Sequence, residues 1–279
     1  MKFSKVLKAA ATTAFASAAL MSASASAEIW GNTEIQLQAM GELEIAGTGG
    51  TADATIVTFQ HAGGWEYGDN FFFVDHSRYS GNGNVGDSSE FYGEWYSNFS
   101  LGAITGNDLS FGPVKDIGLV AGFNYAPAVD SSWVLPGVTF ALDLPGFAFA
   151  TLNTSAYIHM SGAEDTPANG FGVVDEDTSF MVDFAWAYPF KIGSTSWSIE
   201  GHLEYIQGRD QYHTFSFGTP TKLESWVLFQ PQIRLDVGEL IGTPSQRLFV
   251  GIEYQYWKNK LGAKGVDDNT AQLLAVWRF

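Results

Sequence analysis

Apolar and polar residues alternate along most of this chain with a period of two. In 197–205, Trp197, Ile199, Gly201, Leu203 and Tyr205 share one face, and Ser198, Glu200, His202 and Glu204 share the other. Successive side chains of a strand point to opposite sides, so this run predicts a strand with one apolar and one charged face. The same reading sets Asn153, Ser155, Tyr157 and His159 against Leu152, Ala156, Ile158 and Met160. It sets Gln230, Gln232, Arg234 and Asp236 against Phe229, Pro231, Ile233 and Leu235, and Glu253 and Gln255 against Ile252, Tyr254 and Tyr256. The first such run places Glu34, Gln36, Gln38 and Glu42 on its polar face.

Twelve segments alternate in this way, near 33–45, 53–63, 68–78, 90–101, 114–124, 133–143, 148–160, 178–190, 195–207, 223–236, 247–258 and 270–279. Most have the roughly 9–11 residues that a tilted strand needs to cross a bilayer. No mature segment reads as a spanning helix: the best candidate, 133–152, is broken by Pro136, Gly137, Asp143, Pro145 and Gly146 and divides into two strands. The predicted fold is all-β, a transmembrane antiparallel up-and-down β-barrel of 12 strands. Carboxylates facing lipid are costly, so the charged faces line the lumen.

Connections follow the same plan. Those after even strands are mostly tight, at 64–68, 144–146 and 191–194. Those after odd strands are mostly long and polar, at 79–89, 161–177, 208–222 and 259–269. Short periplasmic turns and long external loops are the expected asymmetry, and an even strand count puts both termini on the periplasmic side. Two connections depart from it: 102–113 is long for a periplasmic turn and 47–52 is short for an external loop.

The ends agree. The last strand places Ala271, Leu273, Ala275, Trp277 and Phe279 on one wholly apolar face. At the other end Lys2, Lys5 and Lys8 precede an apolar stretch from Ala9 to Met21 and a small-residue site at Ala25-Ser26-Ala27. This is the pattern of a cleaved secretory signal peptide over 1–27, leaving a single barrel over 28–279.

Composition narrows the function. Aromatics make up 15% of the chain and charged residues only 16%, with a net charge of −16 that loss of the signal lysines makes more negative. An acidic surface excludes nucleic acid as a partner and disfavours an anion pore. There is no cysteine, so no disulfide and no thiolate metal site. Glu164-Asp165 and Asp175-Glu176-Asp177 fall in an external loop and read as solvated acids, which are weak grounds for a metal. No cofactor is implied.

The sharpest constellation is 69–75. Asp69, Phe71, Phe73 and Asp75 share one face, and its two carboxylates make that face the inner one. Aromatic rings stack on flat ligands, and carboxylates accept hydrogen bonds from hydroxyl or amino groups. Packing of a crowded lumen accounts for the two rings equally well. His159 and Ser161 stand two apart, as in the His-x-Ser of outer-membrane phospholipases, but their face is the inner one, away from lipid. No catalytic residue is assigned, although a lipid hydrolase and a closed structural or receptor barrel stand as alternatives to a channel.

The stretch Asn107-Asp-Leu-Ser-Phe-Gly-Pro113, with Val114-Lys115-Asp116 after it, resembles the nucleoside-specific outer-membrane channels of the Tsx and OmpK type. So does the hairpin from Thr55 to Asp75. The ending Ala275-Val-Trp-Arg-Phe279 is similar to the final strand that barrel assembly machinery reads in many outer-membrane proteins. The resemblance implies a monomeric twelve-stranded channel in outer-membrane lipid, passing small solutes, nucleosides above all, past inward aromatic and ionisable residues. In this family external loops also serve as phage or bacteriocin receptors. Residue by residue, Asp69, Phe71, Phe73 and Asp75 match the family's acid-aromatic-aromatic-acid face, and Glu94 matches an inward acid. Tyr96, Thr58 and Gln60 stand where the family has acids. The candidate binding residues are therefore Asp69, Phe71, Phe73, Asp75, Glu94 and Tyr96, with Glu200, His202, Glu204 and Glu253 as further lumen residues.

Overall fold

Each alternating segment forms one stave of a closed wall. A computed structural model describes residues 28–45, 50–81, 86–160, 173–213 and 220–279. The signal-peptide segment, Ser161 and the pair Glu164-Asp165 lie outside the described residues. The first seven strands are β1 (Trp30–Ile45), β2 (Gly50–Trp65), β3 (Gly68–Gly81), β4 (Ser88–Ser100), β5 (Val114–Ala126), β6 (Ser131–Leu142) and β7 (Phe149–Met160). Then come β8 (Val173–Glu176), β9 (Ser179–Ile192), β10 (Thr195–Ile206), β11 (Arg209–His213) and β12 (Thr221–Leu223). β13 (Trp226–Asp236), β14 (Leu248–Lys258) and β15 (Asp268–Arg278) complete the chain.

Twelve of these strands close antiparallel in the order β1-β15-β14-β13-β10-β9-β7-β6-β5-β4-β3-β2. They coincide stave for stave with the twelve alternating segments of the sequence. Closure leaves no unpaired edge, which is the condition for a sheet inside a bilayer. The seam pairs Glu34 with Arg278 and continues to Ala39 with Leu273. The remaining strands, β8, β11 and β12, form a small separate sheet in the order β12-β11-β8. Their short runs lie inside two polar loops and carry no alternation long enough to be read from sequence.

The outer wall is apolar. Ile35, Leu37, Val57, Phe59, Leu203, Ile252 and Leu273 all project outward and are exposed. A continuous apolar girdle of this kind is the surface that lipid covers. The inner wall is polar, with Glu34, Gln36, Gln38, Glu204, Arg234, Glu253 and Gln272 all buried.

Glu42 departs from expectation. A bulge between Met40 and Leu43 shifts the register against β2, and Glu42 takes a φ of 59°. The extra residue reverses the alternation. Glu42 is exposed, and Leu43 packs with Met40 and Ala54 in its stead.

The long connection between β4 and β5 is ordered by its own side chains. The Ser100 hydroxyl caps a short helix, Leu101–Thr105, by accepting from the Ala103 amide, and it donates to Asp116. Asp116 also accepts the Gly102 amide at 3.1 Å. Beyond the helix, Asp108 accepts the Ser110 amide at 2.9 Å, and the Ser110 hydroxyl and amide hold its carboxyl below the usual carboxylate range. Phe111 then bridges Val114 across Gly112, whose φ is 53°. The Asp-Leu-Ser-Phe-Gly-Pro string is thus a turn that stitches two staves together.

Candidate functional site

The inner face of β3 carries Asp69, Phe71, Phe73 and Asp75 in a row. β4 supplies their neighbours: Tyr92 lies opposite Asp75, Glu94 opposite Phe73, Tyr96 opposite Phe71, and Asn98 opposite Asp69. The Phe71 and Phe73 rings are 6.1 Å apart between centroids, and Tyr92 lies 6.0 Å from Phe73. The result is a three-ring aromatic strip with a carboxylate at each end.

Hydrogen bonds anchor its polar members. Asp75 accepts the Thr58 hydroxyl at 2.6 Å, and Asp69 accepts the Asn98 amide at 2.8 Å. Glu94 accepts the Tyr92 hydroxyl at 2.5 Å and the Asn124 amide at 3.0 Å. The Tyr96 hydroxyl donates to the other end of Asn124 at 3.2 Å. Tyr96 lies flat against β5 because position 122 is glycine: a Cβ there would come within 2.7 Å of its ring. Asn124 and Tyr92 were not among the residues picked from sequence. Tyr92 was legible, since it shares the parity of Glu94; Asn124 sits alone among apolar residues and carries no pattern.

The opposite wall is built from β9, β10, β13 and β14. His202 lies 3.2 Å from Asp183 and 3.0 Å from Gln230, which in turn donates to Gln255 at 3.0 Å. Glu204 accepts the Trp226 indole at 3.4 Å, and Glu253 accepts the Gln232 amide. Asp183 was also missed from sequence, although a single acid on a face of Ser179, Met181, Ala185 and Ala187 is a legible signal.

Toward the end that carries Trp30 and Arg278, charge is balanced. Arg234 reaches Glu34 at 3.1 Å and Glu200 at 3.2 Å, and Arg278 reaches Glu34 at 2.5 Å. Toward the other end the small sheet reaches the inner wall. Glu176 is buried and accepts Arg209 at 2.5 Å, the Trp133 indole at 3.0 Å and Gln211 at 2.7 Å. The Arg209 guanidinium lies 4.8 Å from the Tyr157 ring and 4.9 Å from that of Trp226. Glu176 is therefore not the solvated loop acid expected from sequence: its loop turns inward and finds a base. Among the described residues no three His, Asp or Glu side chains converge as a metal site.

The family model described as nucleoside-specific channel-forming protein, Tsx, matches residues 35–275. No curated protein matches the sequence. Among solved structures, an outer-membrane channel from Pseudomonas putida F1 superposes with a TM-score of 0.55 at 12% identity, over 89% of this chain and 95% of that one. The translocator domain of the autotransporter NalP from Neisseria meningitidis gives a TM-score of 0.39 at 12% identity, over 99% of this chain and 98% of that one. At 12% identity the likeness to the Pseudomonas channel speaks to fold alone. The family match is of a different kind, since it runs from the first stave to the last and sets the hydrolase alternative aside. The molecule is an outer-membrane channel for solutes, and the chain belongs to the family of nucleoside-specific channel-forming proteins named Tsx.

Proposed function

We propose that this channel passes nucleosides by letting them step along the inner face of β3. The observation that carries the reading is the strip of Phe71, Phe73 and Tyr92 rings between Asp69 and Asp75, faced by Glu94 and Tyr96. A nucleobase is a flat ring that stacks on such a strip, and stacking of this kind is worth about 1–3 kcal/mol per base in single-strand binding. A ribose supplies hydroxyl donors for the flanking carboxylates. Neutral solutes suit this wall better than nucleotides, whose phosphates are repelled by acids in a poorly screened space. Binding is weak by necessity, because a channel must release what it holds. In the same reading residues 1–27 are removed on export, and the mature barrel works as a monomer in outer-membrane lipid.

The test is ion current through the purified channel in a planar bilayer. Thymidine and adenosine are expected to block it transiently, their nucleotides less, and Phe71→Ala or Phe73→Ala to relieve the block. An unmodified channel whose current ignores both nucleosides would sink the assignment.

A further inference from the structure

Across the lumen from the aromatic strip, two acids stand side by side on neighbouring strands. Asp183 on β9 pairs directly with Glu204 on β10, and Glu94, on the strip's own side of the lumen, lies within range of their charge, with His202 as the base among them. His202 is already engaged by Asp183 and Gln230. The inward arginines and lysine are committed elsewhere: Arg234 and Arg278 to Glu34, Arg209 to Glu176, and Lys260 to Asp268 at 2.6 Å.

A second observation comes from β7. Asn153 lies directly across from Asp183, which lies across from Glu204. Asn153 is 8% exposed and Ser155, next on the same inward face, is 4% exposed. Neither the Asn153 Oδ1 nor the Ser155 Oγ has a hydrogen-bond partner. A buried oxygen without a donor is costly, and neighbouring ones of this kind mark a place where a donor belongs. Among the described residues no three acids and histidines converge as a metal site, and a bare cation brings no N–H to an orphan oxygen. A ring completes the picture: Tyr96 hydrogen-bonds Asn124, which donates to Glu94. Aromatic faces beside carboxylates attract alkylammonium groups, which bring several N–H donors on one charge.

We propose that Asp183, Glu204 and Glu94, with Asn153 and Ser155, form a subsite for the ammonium group of small organic amines, giving the channel a second class of solute. The subsite rests on the molecule being a channel; Glu94 borders the nucleoside strip, whereas Asp183, Glu204, Asn153 and Ser155 lie away from it. An amine entering it exchanges water for charge-assisted hydrogen bonds to the acids and supplies the donors that Asn153 and Ser155 lack.

The experiment is a planar-bilayer recording on the purified full barrel, with putrescine as the probe. Butanediol is the neutral comparator of equal length, and magnesium is the comparator of equal charge. Putrescine is expected to block current at concentrations where both comparators leave it unchanged. Glu204→Gln and Asp183→Asn should each raise the half-blocking concentration by about tenfold, as loss of one charge-assisted bond implies. Glu94→Gln offers an independent position should either of those variants fail to assemble. A block that magnesium reproduces, a block that all the assembled variants retain, or no block at all overturns the subsite. Thymidine added to the same membranes keeps the two readings apart: block by putrescine without block by thymidine defeats the nucleoside assignment alone, and the converse defeats the amine subsite alone.

Discussion

Leu203 and His202 are adjacent in the chain and face opposite media. Leu203 projects outward and is exposed, while His202 sits between Asp183 and Gln230 on the inner wall. A charge on the lipid side of a barrel costs roughly 2–4 kcal/mol at mid-membrane. Leu203→Lys is therefore expected to lower folding yield and urea resistance in lipid vesicles. His202→Lys places a cation beside Asp183 and should fold like the unmodified chain. Equal folding of the two variants would reverse the parity assigned to β10. Parity is also what made the residue-level reading work. Glu200, His202, Glu204 and Glu253 stand on the inner wall because an acid every second residue admits one placement. It failed at Glu42, where a positive φ in a bulge reverses the count, and no residue pattern announced that bulge.

At the scale of elements, the staves were legible and the cap was not. Each barrel strand carries enough alternating positions to stand out, and the lipid and lumen faces differ sharply in polarity. β8, β11 and β12 are three to five residues long, and their pairing joins two separate loops. Local pattern holds no information on that pairing. Likewise, nothing local in the sequence tells that Arg234 reaches Glu34, since the two are 200 residues apart. The cap has a testable consequence. Glu176 and Arg209 are both buried, and removing one partner of a buried ion pair typically costs about 3–5 kcal/mol. Arg209→Ala should release the small sheet from Trp133, Tyr157 and Trp226 without unpairing any stave. Single-channel conductance is expected to rise, with the thermal transition of the barrel unchanged. Unaltered conductance would show that the cap does not obstruct the path.

For the whole molecule, the balance of charge on the inner wall decides which ions pass. Glu34 and Glu200 are neutralised by Arg234 and Arg278, whereas Asp69, Asp75, Glu94, Asp183, Glu204 and Glu253 face the lumen with His202 as the nearby base. Rings of one charge set ion selectivity. In a salt gradient at neutral pH the reversal potential should carry the sign of a cation-preferring pore, and an anion-preferring sign would contradict this distribution of charge.

The clasp at the seam also orders events in time. Glu34 belongs to the first stave, and the guanidiniums that hold it come from residues 200 and 244 positions further on. Contacts of such long range form late, after the loop entropy of nearly the whole chain has been overcome. Until β13 and β15 arrive, Glu34 is a bare carboxylate on an open sheet, at odds with a surrounding of hydrocarbon. An unfinished chain therefore has no half-closed resting place in the bilayer. Closure is then a single late step, in which the carboxylate of the first stave finds its charge partners only when β13 and β15 are in place.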